Sequence, residues 1–119
     1  MNTELKLREE GLENSEFLIL TLIVGLTTLL KENAISIRES ESCLYNPYTS
    51  KCLESLGIDG SIIELIWWGC QVGDVERNIP DKLDESINDI LTKSISITKG
   101  LARNSLKLDK WIDESYVND

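Results

Sequence analysis

The sequence predicts an all-α protein: a compact single-domain bundle of five or six helices around a central apolar helix. Three observations carry that expectation. Apolar residues recur at helical spacing in several segments, and most of those segments open on a residue able to cap free amides. No Asn-Gly or Asp-Gly pair lies between alternating apolar residues, as a hairpin would require; Asp59-Gly60 sits instead at a helix start. Only two prolines, no internal repeat and no linker rich in Gly, Ser or Pro interrupt the chain, so residues 1–119 are expected to form one domain.

Residues 1–13 are polar and are expected to form a frayed helix or a short arm. A first helix should begin near Asn14 or Ser15, with Glu16 in its first turn, and run to Lys31 or Glu32. From Phe17 to Leu30 it is apolar nearly all round, which implies that other helices surround it. After the break at "NAIS", Ser36 and Glu39 have capping-box spacing and start a short helix over about residues 37–45. Asn46 precedes Pro47 and avoids the helical region; Thr49 can then cap "SKCLESL", which stops at Gly57. Asp59 caps a fourth helix to about residue 71, with "DVERNIP" a further turn or a loop. Pro80 or Asp81 opens a fifth, striped by Leu83, Ile87, Ile90, Leu91 and Ser94, with "SISIT" kept helical. Residues 101–118 read as a final helix carrying Leu101, Leu108, Trp111 and Ile112.

Twelve basic residues against 21 acidic ones give a net charge of −9. Such a field repels nucleic acid and anionic lipid, both of which are bound mainly through Lys and Arg, and attracts basic partners. It also serves solubility. The apolar run over residues 17–30 is too short for the roughly 20 residues a bilayer span needs. The acidic segment before it is the reverse of a signal-peptide start. That run is therefore expected to be a core helix in a soluble, cytoplasmic protein.

Catalytic signatures are missing. Without histidine, Ser-His-Asp and Cys-His arrangements and the common zinc sites cannot form. Cys43, Cys52 and Cys70 lack CxxC spacing and are expected to be free thiols in a reducing compartment. Asp81, Asp84, Glu85 and Asp89 line part of one helix, but dinuclear, calcium-loop and phosphate-loop spacings are all absent. No enzyme activity, metal or cofactor is expected.

Two aromatic segments stand out. Trp67 and Trp68 are neighbours on the fourth helix, about 100° apart, so one core cannot easily take both. Ile62, Ile63, Leu65, Ile66, Gly69 and Cys70 define the inward stripe; Trp67 falls at its boundary and Trp68 on the polar side. Trp68 either covers another helix or anchors an interface bordered by Asp74 and Glu76. Tyr45 and Tyr48 flank Pro47 as a packed turn or as an exposed recognition loop.

Several stretches together resemble a family of short, mostly uncharacterised bacterial helical proteins over about residues 17–95. They are Ile35, Ser36 and Glu39; Pro47, Tyr48 and Thr49; and Asp74, Val75, Glu76, Ile79, Pro80, Leu83 and Ser86. In size and charge the chain is also similar to the small acidic immunity proteins of contact-dependent growth inhibition and other polymorphic toxin systems. That resemblance implies a cytoplasmic antitoxin that binds a basic toxin domain, commonly a nuclease, and blocks its active site or substrate groove. The partner-binding residues would be Trp68, Asp74, Glu76, Asp81, Asp84 and Glu85, with Tyr48 apart from them. Neither nucleic acid nor membrane is an expected partner, and the protein would be a monomer or homodimer. The alternative is a helical adaptor or regulatory protein that self-associates through its tryptophan face.

Overall fold

The computed structural model describes residues 3–101 and 106–114, together with the backbone of Val117–Asn118. Helices dominate: α1 (Leu12–Lys31), α2 (Ile37–Cys43), α3 (Pro47–Ser55), α4 (Gly60–Asn78) and α5 (Leu83–Gly100). A 3₁₀ turn over Pro80–Lys82 joins α4 to α5, and the termini meet in a two-residue antiparallel ladder, β1 (Glu4–Leu5) with β2 (Val117–Asn118). The all-α, single-domain expectation holds.

Local chemistry explains most boundaries. Ser36 caps α2 in a reciprocal box: its hydroxyl accepts from the Glu39 amide at 3.0 Å and its own amide donates to the Glu39 carboxylate at 2.9 Å. Those bonds hold the Glu39 carboxyl below its ordinary pKa. Asp59 caps α4 by accepting from the Ser61 amide at 2.9 Å, and the Ser61 hydroxyl, donating to the same oxygen at 2.6 Å, and then that amide lower its pKa. Gly57 takes the left-handed conformation, φ 77°, that closes α3.

Three expected boundaries move. Helix α1 starts about one turn earlier than a side-chain cap would place it, with Gly11, which has no side chain to offer, at its cap position. Asn14 is thereby released to bind the distant backbone of Lys107 through both its amide nitrogen and its oxygen. Asn46, not Thr49, caps α3, because extended φ and ψ before Pro47 place its side-chain oxygen 3.0 Å from the Thr49 amide. Helix α4 absorbs most of "DVERNIP" and runs to Asn78.

The ends of the chain depart further from expectation. Residues 3–10 form a short non-helical arm, and where a last helix is expected Val117–Asn118 is extended backbone paired with Glu4–Leu5. Residues 106–110 are irregular, residues 102–105 lie outside the described residues, and the Arg8 amide donates to the Trp111 carbonyl. Trp111 explains the docking: its indole donates to Glu9 at 2.8 Å and its ring meets Phe17 with centroids 6.0 Å apart.

The core joins Leu20, Ile23 and Leu30 of α1 to Ile62, Leu65, Ile66 and Val72 of α4 and Ile87 and Ile90 of α5. Each such side chain contributes roughly 1.5–3 kcal/mol by leaving water. The centre of the bundle is α4, which packs against α1, α2, α3 and α5, rather than the apolar α1. Helix α1 lies at the edge, mainly against α5, and Leu22 and Leu29 on its far side are 40% and 46% exposed. Apolarity all round the helix therefore does not mean burial all round. Glu16 ties α1 to α4: this buried carboxylate accepts from the Asp59 amide at 2.8 Å, at the positive end of α4.

Candidate functional site

The tryptophan pair occupies the outer half of α4, where that helix meets α5. A shallow hollow of about 200 Å³ lies between the two helices, lined by Trp68, Gln71 and Val75 of α4 and Ser86 and Asp89 of α5. Trp68 is half-buried with its indole against the core, whereas Trp67 is 42% exposed. Residues 67, 71 and 74 succeed one another at i, i+4 and i+7, so Trp67, Gln71 and Asp74 form one outward stripe beside the hollow.

The order of exposure of the two indoles reverses the sequence expectation, and the reason is geometric. Val72 and Gly73 are buried, while Ile63 and Cys70 are only half-buried. Extending the helix past residue 71 thus turns the centre of its buried stripe by about 40° toward Trp68 and away from Trp67. Trp67, Gln71 and Asp89 are the site residues that the sequence reading misses. Carrying the stripe to Asn78 would have found Trp67.

The acidic residues singled out from the sequence are spread over several places. Asp74 pairs with Arg77 one turn on, and Glu85 pairs with Lys82 at 3.3 Å, both on the surface. Glu85 and Asp89 are four residues apart and extend one acidic edge along α5 beside the hollow. Glu76 and Asp84 are exposed on the other flank, around a recess that also holds Lys31 and Arg38. Asp81 is exposed on the 3₁₀ turn. Tyr48 stands apart on α3, 78% exposed, with its phenol pKa raised by the neighbouring Cys52 side chain. No described cation forms an ion pair with Glu76, Asp84 or Asp89.

Among the described residues no group of three or more Cys, Asp or Glu is placed to hold a metal ion. The Cys70 thiol is pushed up by burial and then by the Glu41 carboxylate, the opposite of what a nucleophilic thiolate needs. What the surface offers is an aromatic step, a shallow depression and carboxylates without described counter-ions.

Fold and surface together define a small helical domain with an acidic, aromatic face between two of its longest helices. The chain belongs to the family described as a protein of unknown function (DUF3969), which it matches over residues 10–113. The match takes in all five α-helices and Trp111 of the docked C-terminal segment. No curated protein and no solved structure matches the chain.

Proposed function

We propose that the protein is a cytoplasmic immunity-type binder that neutralises a basic bacterial toxin domain by occlusion, without chemistry of its own. The observation that carries this reading is that Trp68, Gln71 and Asp89 line one hollow between α4 and α5, with Trp67 exposed beside it and Glu85, paired to Lys82, one turn along α5 from Asp89. A basic groove built for phosphates would meet carboxylates there, and an indole set against apolar surface would slow dissociation. The net charge of −9 speeds encounter with such a partner. Glu76, Asp81 and Asp84 contribute through that field, from outside the contact.

The test is an affinity capture from the host, washed at low and then at high salt, with three forms of the protein. The wild type should retain one small basic protein through both washes. Asp89→Lys with Trp67→Ala should lose it, at least about a hundredfold in affinity, while the circular dichroism stays helical. Glu54→Lys on the distant α3 should behave as wild type. Equal retention by all three forms would move the contact off this face, and recovery of an acidic partner would end the toxin reading.

A further inference from the structure

The outward side of α1 carries a second kind of surface. Leu18, Leu22, Gly25 and Leu29 follow one another at spacings of four, three and four residues, the rhythm of a helix-pairing seam. Leu22 and Leu29 are exposed, and a methyl group built on Gly25 would meet nothing within 4 Å. Beside Gly25 runs an apolar groove of about 470 Å³ between α1 and α5, lined by Thr21, Val24, Gly25, Ile95, Thr98 and Lys99, with Leu20 at its floor.

We infer that this seam pairs two copies of the chain, with their α1 helices antiparallel. Charge and register select that occupant. The molecule carries −9, so most approaches of one copy to another are repulsive, but from Phe17 to Leu30 the helix has no ionisable residue. The single charged residue lining the groove is Lys99, whose sign suits an acidic copy of the same chain. A two-fold axis between residues 23 and 24 sets Leu22 opposite Gly25 and Leu18 opposite Leu29, in both directions at once. The seam is thus complementary to itself: each copy offers one leucine knob and one open glycine hole, as a symmetric contact requires. A single-helix seam falls short of the roughly 800 Å² per partner of a standard stable interface, so the pairing is reversible and micromolar. It leaves the α4–α5 face free and does not depend on the toxin-binding reading.

Sedimentation of the full chain from about 1 micromolar to about 1 millimolar tests the pairing. The mass should rise from one chain toward two, and Leu22→Glu should hold it at one chain without loss of helicity, because that side chain is exposed. Register is read separately. With Cys43, Cys52 and Cys70 replaced by alanine, Leu18→Cys plus Leu29→Cys should oxidise to a covalent dimer. These two positions lie eleven residues apart on one helix, too far to bridge within a chain. A wild-type protein that stays monomeric across the range would overturn the inference. So would a dimer indifferent to Leu22→Glu, or co-sedimentation with neutral phosphatidylcholine vesicles that competes with pairing. The vesicle arm matters because α1 is long and apolar enough, by length and composition, to cross a membrane.

Discussion

Helices α1 and α4 both carry glycine in their interiors, and Gly25 of α1 and Gly69 of α4 face opposite worlds. Gly69 of α4 is buried against the ring of Tyr45, where any Cβ would overlap the aromatic carbons. Gly25 of α1 points outward into open space. A mid-helix glycine costs roughly 1 kcal/mol relative to alanine. On α4 that cost is offset at once, because the missing side chain lets a fully buried tyrosine lie against the backbone. On α1 nothing within the described residues offsets it. The contrast separates a position fixed by the interior of one chain from a position whose reason must lie outside that interior.

The largest expected effect follows from making the same substitution at both positions. Gly69→Ala forces the Tyr45 ring or the α4 backbone to move and should destabilise the fold by about 3 kcal/mol. Gly25→Ala, in dilute protein, should stabilise it by about 0.5–1 kcal/mol. Denaturant unfolding of the two variants decides the comparison directly. Equal and small effects would mean that the Tyr45–Gly69 contact is loose, and a large loss at Gly25 would mean that α1 is covered on its far side.

Tyr45 sharpens the same contrast from the other partner's position. Its phenol meets the Thr27 hydroxyl in a buried hydrogen bond, and desolvation pushes its pKa up to about 12. Tyr45→Phe leaves the Thr27 hydroxyl buried without that partner and should cost about 1–2 kcal/mol. The sign of the pH effect follows from linkage. The folded state keeps the Tyr45 proton after the unfolded chain, with its ordinary value of 10.0, has begun to lose it. The associated stability is intact below pH 10 and is lost as pH rises from 10 toward 12. Unfolding midpoints measured across that window should fall for the wild type and fall less for Tyr45→Phe. Parallel curves would place the phenol in contact with water.

How far these features were legible in the sequence depends on whether a local rule was enough. Ser36 with Glu39, Gly57, Asp59 and the Leu83–Ser94 stripe all follow from chemistry within one or two turns, and all of them hold. The docked termini did not, because the contacts that replace a last helix join Glu9 to Trp111 and Asn14 to Lys107 across almost the whole chain. Nor did the centre of the bundle: the most apolar helix is at the edge, since its outward leucines look the same in sequence as buried ones. At the candidate site the aromatic pair and its acidic surroundings were legible as composition. Which indole faces water was not, because ending α4 seven residues early misplaced the centre of its buried stripe.

A smaller effect belongs to the caps. Ser36→Ala removes one half of the reciprocal box at the start of α2 and should cost about 1 kcal/mol, read from denaturant unfolding. Helix α2 packs against α4, so this loss should reach the whole transition rather than fray α2 alone. A separate early loss of helicity would show α2 to be a local unit.

The smallest effect on stability is expected at Trp67, and it returns the comparison to the two outward faces. With 42% of its surface exposed, Trp67 has less to lose on truncation than its half-buried neighbour, and Trp67→Ala should move stability by less than about 0.5 kcal/mol. Leu22→Glu should be similarly mild in the dilute protein. The two substitutions should nevertheless divide the molecule's associations between them. Trp67→Ala should abolish capture of the basic partner while leaving self-association untouched, and Leu22→Glu should do the reverse. If either substitution affected both, the faces of α1 and α4 would be coupled, and pairing of two copies would be part of how the partner is bound.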